Sequence, residues 1–107
     1  MKIEFGQVLY TMDGEPIQEG DPRKQQETRD LTLGRAAINS LLADVEGERQ
    51  TGAQKFDRFK LAMRIGNEED PIEITIGDAS LIKERVGIVY PTYAVGLIWT
   101  MLEGNDS

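Results

Sequence analysis

The sequence contains neither cysteine nor histidine among its 107 residues. Without cysteine, disulfide bonds and thiolate chemistry are excluded. Without histidine, the commonest general base and the commonest protein ligand of metal ions are both missing. Catalysis in such a chain would have to use carboxylates, lysine, tyrosine or a bound metal ion.

Basic residues are also fewer than acidic ones. There are 12 lysines and arginines against 19 aspartates and glutamates, which gives a formal net charge of −7. A chain this acidic is poorly suited to bind a phosphate backbone, because that binding depends on cations that displace counterions. We therefore expect no direct contact with nucleic acid and good solubility in a cytosol.

Long apolar runs are missing as well. No run approaches the roughly 20 residues that a helix needs to cross a bilayer, and the first ten residues, MKIEFGQVLY, lack the apolar centre of a signal peptide. These observations predict no membrane partner and a cytoplasmic location. The length of 107 residues predicts a single domain that spans the whole chain.

An Asp-Gly pair marks the N-terminal part of the chain. Asp13 and Gly14 lie between apolar stretches, and this arrangement is typical of a tight β-hairpin turn. The pattern predicts strands at about 3–12 and 15–18, so that residues 1–18 form a hairpin.

The remainder of the chain is predicted to be mainly helical. A polar loop over 19–30 is followed by helical periodicity through 31–104 and by a polar tail at 105–107. The predicted helix starts are Thr32, Thr51, Thr75 and Pro91. The predicted helix ends include Gly47, Gly66 and Gly104.

Two short segments are less typical of helices. Residues 72–75 alternate between isoleucine and polar residues, which suggests a short strand. Residues 86–90, VGIVY, are rich in β-branched side chains. We keep 86–90 helical, because no turn residue separates them from the preceding helix. The fold prediction is a single compact α+β domain, with an N-terminal hairpin and about four short helices.

Acidic residues cluster twice along the chain. The first cluster is Asp13, Glu15, Glu19 and Asp21; the second is Glu68, Glu69, Asp70 and Glu73, with the neutral Asn67 before it. Neither cluster has the spacing of an EF-hand loop. We predict no metal site and no cofactor, and we keep carboxylate-based metal binding as an alternative.

Sequence motifs of common enzymes are missing. Ser40 and Ser80 lack the G-x-S-x-G surroundings of an activated nucleophile, and no glycine-rich phosphate loop occurs. We therefore predict that the protein is not an enzyme and has no catalytic residues.

The predicted second helix combines aromatic and basic residues. Phe56, Phe59 and Met63 lie on one side of it, and we assign the two phenylalanines to the core. The basic residues are Lys55, Arg58, Lys60 and Arg64. Given the net charge, we interpret them as a solvated outer face that pairs with acids elsewhere, and not as an RNA-binding patch.

The last predicted helix is apolar on nearly all sides. Such a helix is either central in the core or shared with a second chain. The candidate interface residues are Tyr90, Tyr93, Leu97, Trp99 and Met101, since tyrosine and tryptophan are favoured anchors at interfaces. Burial in the core and self-association through this helix both stay open.

The order of four segments resembles a family of small, mostly uncharacterised proteins of tailed bacteriophages and prophages. The segments are MDGEPI (12–17), LTLGRAAINSLL (31–42), KFDRFKLAMRI (55–65) and LIKERVGIVYPTYAVGLIWTMLEG (81–104). The resemblance implies a phage or prophage source and action in the bacterial host cytoplasm. It brings no catalytic or binding residues with it.

The leading hypothesis is therefore a non-enzymatic phage or prophage accessory protein that acts through protein–protein contact, in virion assembly or in binding a host factor. The first alternative is an acidic inhibitor that occupies the nucleic-acid-binding groove of a host protein. The second is a carboxylate-based metal-binding protein.

Overall fold

Four α-helices are the main elements of the computed structural model, which describes residues 1–20 and 27–104. They are α1 (Leu33–Leu42), α2 (Gly52–Asn67), α3 (Ile76–Val89) and α4 (Thr92–Glu103). The middle of the loop predicted over 19–30 and the tail predicted at 105–107 lie outside the described residues. Within them, the chain forms the predicted single α+β domain.

Four two-residue strands accompany the helices. They are β1 (Lys2–Ile3), β2 (Gln18–Glu19), β3 (Arg29–Asp30) and β4 (Ile72–Glu73). They form two separate antiparallel pairs, β1 with β4 and β2 with β3. The predicted short strand at 72–75 is therefore present as β4, and its partner is the N-terminus of the chain.

The predicted Asp-Gly turn is present, although β1 and β2 on its two sides do not pair with each other. The amide of Gly14 donates to the carbonyl of Thr11 at 3.0 Å, and the φ of Gly14 is +84°. A positive φ suits glycine, which has no Cβ to clash. Tyr10 bridges Pro16 across the turn.

A long strand over 3–12 does not form. The amides of Phe5 and Gly6 donate instead to the carboxylate of Asp70, at 2.9 and 2.7 Å. Because these two amides bond a side chain, they are not free to continue a β ladder, and the chain turns there.

The predicted loop over 19–30 starts and ends in β structure. Glu19 pairs with Arg29 in the β2–β3 ladder. The amide of Leu31 donates to the carbonyl of Ile17, and the amide of Leu9 donates to the carbonyl of Leu31. The loop is therefore the connection between two paired strands, and its ends are fixed beside the N-terminal turn.

Threonine caps begin three of the helices, as predicted. The hydroxyls of Thr32, Thr51 and Thr75 each accept from the backbone amide three residues later, at 3.0–3.1 Å. At Thr51 and Thr75, the side chain of the third residue also bonds back, which completes a capping box. Residues 86–89 belong to α3 and Tyr90 is its C-terminal cap, so the helical prediction for 86–90 is confirmed except at its last residue.

The predicted end of α1 is wrong by five residues, because the helix stops at Leu42 and not at Gly47. The physical reason is that two arginines from other helices bond its last carbonyls. Arg58 donates to the carbonyls of Leu41 and Ala43, at 2.8 and 2.7 Å.

Arg85 of α3 completes this arrangement. It donates to the carbonyls of Ser40 and Ala43, at 3.2 and 2.9 Å. Its Nη1 group also donates to both carboxylate oxygens of Glu48, at 2.6 and 2.7 Å. Glu48 lies 3.6 Å from Arg58 as well. We call Arg58, Arg85 and Glu48 the guanidinium cap.

The core lies between α1 and the elements around it. α1 packs on α2 and α3, and α4 packs on α3. The fully buried side chains include Ile3, Leu9, Leu33, Leu41, Ile82 and Ile98. Among the described helices, none is both long and apolar enough to cross a membrane.

Candidate protein-interaction surface

The second helix, α2, has two apolar faces that point in different directions. Leu61, Ala62 and Ile65 are buried in the core. The opposite face carries Phe56, Phe59 and Met63, whose exposed fractions are 57%, 47% and 45%. We call these three residues the α2 stripe. The assignment of Phe56 and Phe59 to the core is therefore wrong.

The two phenylalanines of the α2 stripe contact each other and a lysine. Their rings are stacked, with centroids 6.4 Å apart and planes at 14°. The Nζ of Lys60 lies 4.9 Å from the centroid of the Phe56 ring. A cation over an aromatic face gives a modest attraction at an exposed site. The α2 stripe is thus a preformed aromatic surface with a positive charge at its edge.

The basic residues of α2 do not share one environment. Arg58 is buried in the guanidinium cap, so the interpretation as a solvated face is wrong for this residue. Arg64 pairs with Glu68 at 3.0 Å and with Asp78 at 3.4 Å, as that interpretation expects. Lys60 pairs with Asp57 at 3.6 Å. Exposed pairs of this kind contribute little stability.

The five candidate interface residues near the C-terminus divide into two groups. Tyr90, Leu97 and Met101 are half-buried and pack against the core cluster. Tyr93 and Trp99 expose 43% and 39% of their surface. The structure therefore leaves two of the five as large exposed side chains, and the interface assignment stays a prediction.

Trp99 already has partners within the chain. Its indole Nε1 donates to the carbonyl of Lys83 at 3.2 Å, and the Nζ of Lys83 lies 5.3 Å from the ring centroid. The same Nζ donates to Glu103 at 2.8 Å. Trp99 therefore fastens α4 to α3, which is a structural role beside any interface role.

A small apolar cleft lies between the N-terminal strands and the start of α4. Its volume is about 250 Å³, and its lining includes Ile17, Leu31, Tyr90, Tyr93 and Ala94. Ligand pockets usually measure about 300–1,000 Å³, so this cleft has little room for a small molecule. The hydroxyl of Tyr93 donates to the carbonyl of Tyr10 at 3.0 Å. Burial raises the pKa of the Tyr90 hydroxyl, and the hydrogen bond that Asn39 donates to it lowers this pKa by less.

Glu19 lies at the edge of this cleft in a network of donors. Arg35 donates to its carboxylate at 3.1 and 3.3 Å, Asn39 donates at 2.8 Å, and Arg29 lies at 3.6 Å. Burial opposes ionisation of Glu19, but these hydrogen bonds and the charges of Arg35 and Arg29 outweigh it. They hold the pKa of this carboxyl below its usual value. This role was not predictable from the residue pattern, because Arg35 and Asn39 follow Glu19 only after the polar loop.

We expect Glu19→Gln to destabilise the fold at pH 7 by about 1–2 kcal/mol, since hydrogen bonds to a charged group are lost or weakened. Because the folded pKa is lowered, the contribution of Glu19 is present above the unfolded value of about 4.3. It disappears as the pH falls through the folded pKa. Urea unfolding of both proteins from pH 7 to pH 3 measures this difference.

The matched control for this prediction is Glu46→Gln, which changes an exposed glutamate. We expect its effect to be within about 0.5 kcal/mol at every pH. An E19Q deficit that is as large at pH 3 as at pH 7 would contradict an electrostatic role for Glu19.

The acidic clusters do not form a metal site within residues 1–20 and 27–104. In that part of the chain, no three Asp or Glu residues lie close enough together to hold a metal ion. Asp70 and Glu68 of the second cluster instead bond Gly6 and Arg64, respectively. Asp21 of the first cluster lies outside the described residues.

Similarity to other proteins adds no information on this surface. Comparisons of the chain with models of protein families, with curated proteins and with solved structures find no match.

Proposed function

We propose that this protein acts through protein–protein contact and catalyses no reaction. The observation that carries the proposal is the α2 stripe, in which Phe56, Phe59 and Met63 are exposed side by side on one helix. Single exposed apolar side chains are common and need no explanation. A contiguous apolar surface is different, because it costs solubility and typically marks a site of contact with another molecule.

The setting of this contact follows from the resemblance to small phage and prophage proteins. We propose a phage or prophage accessory protein that works in the bacterial host cytoplasm, in virion assembly or by binding a host factor. Both tasks require docking onto another protein and no chemistry. An aromatic surface suits them, since aromatic side chains are enriched among the residues that dominate binding energy.

Capture from a bacterial lysate on the immobilised protein tests this proposal. The lysate is prepared from the bacterial cells in which the chain is naturally expressed. We expect the wild-type protein to retain a defined partner that the double variant F56S/F59S loses, because the removed rings supply the apolar contact. The contact should persist at about 1 M salt, where charge attraction is screened within about 3 Å.

The matched control is Met12→Ser, which removes one exposed apolar side chain at the N-terminal turn, away from α2. It should retain the partner. Equal retention by F56S/F59S would contradict a role of the α2 stripe. A partner that washes off steeply with salt would favour the acidic inhibitor, whose binding to a nucleic-acid groove depends on charge.

Self-association through α4 is the other contact that we consider. Tyr93 and Trp99 are its exposed aromatic residues. It is the weaker candidate, because both side chains already bond carbonyl groups of their own chain.

A further inference from the structure

The α2 stripe has the spacing with which two helices pair. With the glycine at its start, the exposed positions along this line of α2 are Gly52, Phe56, Phe59 and Met63. They are separated alternately by four and three residues. This is the seven-residue repeat in which the a and d positions face a partner helix. Phe56 and Met63 take a-type positions, and Phe59 takes a d-type position. A stripe this narrow fits one helix better than a flat protein surface.

Lysines lie along both sides of this stripe. Lys55 directly precedes Phe56, and Lys60 directly follows Phe59, so they occupy the g and e positions of the repeat. Both lysine side chains are exposed. The ion pair of Lys60 with Asp57 is exposed at both ends, so it holds the lysine only weakly. The apolar seam therefore has a cationic edge on each side.

These lysines disfavour a second copy of the chain as the partner. In a parallel pair, Lys55 of one copy would face Lys60 of the other, because g positions face e positions. In an antiparallel pair centred on Phe59, the two copies of Lys60 would approach each other. Like charges in these positions oppose pairing, whereas carboxylates would complement them.

On the basis of the proposed function, we propose that the α2 stripe binds an amphipathic helix of a partner protein, with apolar side chains along its seam and Asp or Glu at its edges. The net charge of −7 opposes an acidic partner at long range. That repulsion is screened beyond about 8 Å at physiological ionic strength, while Lys55 and Lys60 act at contact distance. Complementary edges therefore select the partner, and the aromatic rings supply the affinity.

Two labelled synthetic helices test the proposal. Both carry leucine at the a and d positions; one has glutamate at e and g, and the other has lysine there. Fluorescence anisotropy gives the Kd of each with the purified protein. We expect the glutamate helix to bind at least about tenfold tighter than the lysine helix. F56S/F59S should weaken its binding at least about tenfold, whereas Met12→Ser should leave it unchanged. K55E/K60E should reverse the preference.

Several outcomes would overturn the proposal. One is equal binding of both helices, and another is a preference that K55E/K60E does not alter. Light scattering that shows a dimer in the wild type and a monomer in F56S/F59S would assign the surface to a second copy. If a labelled single-stranded oligonucleotide binds more tightly than the glutamate helix, the α2 stripe would be assigned to nucleic acid, because aromatic rings beside lysines can also stack on bases. Circular dichroism verifies that each variant is folded.

The two proposals can fail separately. If capture from lysate depends on Phe56 and Phe59 but the two synthetic helices bind equally, the acidic helix is wrong and protein–protein contact through the stripe stands. If neither experiment depends on these residues, both proposals are wrong.

Discussion

Arg85→Ala is expected to destabilise the fold by about 3–5 kcal/mol, because it removes one member of a buried ion pair and leaves the carbonyl of Ser40 without this donor. Arg85 is fully buried. Its guanidinium satisfies the carbonyls of Ser40 and Ala43 and binds Glu48. Small domains have a total stability of about 5–15 kcal/mol, so this variant should be close to unfolding. Urea unfolding monitored by circular dichroism measures the loss.

Two further variants separate charge, donors and volume at this position. Arg85→Lys keeps the charge but lacks the planar fork that reaches several acceptors, so we expect an intermediate loss. Arg85→Met fills the space without donating any hydrogen bond. Arg49→Ala, at an exposed arginine nearby, is the control and should change stability by less than about 0.5 kcal/mol. A loss below about 1 kcal/mol for Arg85→Ala would show that the guanidinium cap is not a main support of the fold.

Ile98→Ala is expected to cost about 2–5 kcal/mol, since it leaves a cavity where a fully buried isoleucine had been. Ile98 lies in the middle of α4 and points into the core. The indole of Trp99, next to it, bonds the carbonyl of Lys83 in α3. Trp99 fluorescence therefore reports whether α4 leaves α3 before the rest of the domain unfolds.

Gly96→Ala is the matched control on the same helix, and its expected effect has the opposite sign. Apart from its chain neighbours and the backbone of its own helix, no atom lies within 4 Å of a Cβ added at Gly96. Alanine restricts the unfolded chain and favours helix, so a gain of about 0.5–1 kcal/mol is expected. If the Trp99 fluorescence of Ile98→Ala changes at a lower urea concentration than its circular dichroism does, α4 separates from α3 before the rest of the domain unfolds. Loss of stability in both variants would contradict the assigned packing of this helix.

Local features of the fold were predictable from the sequence because they depend on near neighbours along the chain. Three threonine caps and the turn at Gly14 follow from bonds that span a few residues. The pairing of β1 with β4 was not predictable, since it depends on contacts between residues far apart in sequence, such as Gly6 with Asp70. The short α1 was missed for the same reason, because its carbonyls bond side chains of other helices.

The error at Phe56 and Phe59 has a different cause. α2 carries two apolar rows, and periodicity alone does not show which of them faces the core. Arg58 adds to the ambiguity, because it belongs to the buried row of α2 and yet is charged. A buried arginine is rare unless its hydrogen bonds are satisfied, and here the acceptors are the carbonyls of Leu41 and Ala43 and the side chain of Gln50. The sequence therefore showed which residue types form the candidate surface, but not that their side chains point away from the core.

The guanidinium cap also has a consequence for recognition. Arg58 extends from the inner side of α2 and is held by carbonyls at the end of α1, so α2 is not free to rotate about its own axis. The α2 stripe on the opposite side of the same helix is consequently presented in one fixed direction. Because α2 is already held in one orientation, a partner that docks there need not order this helix. A preorganised surface of this kind lowers the entropic cost of association.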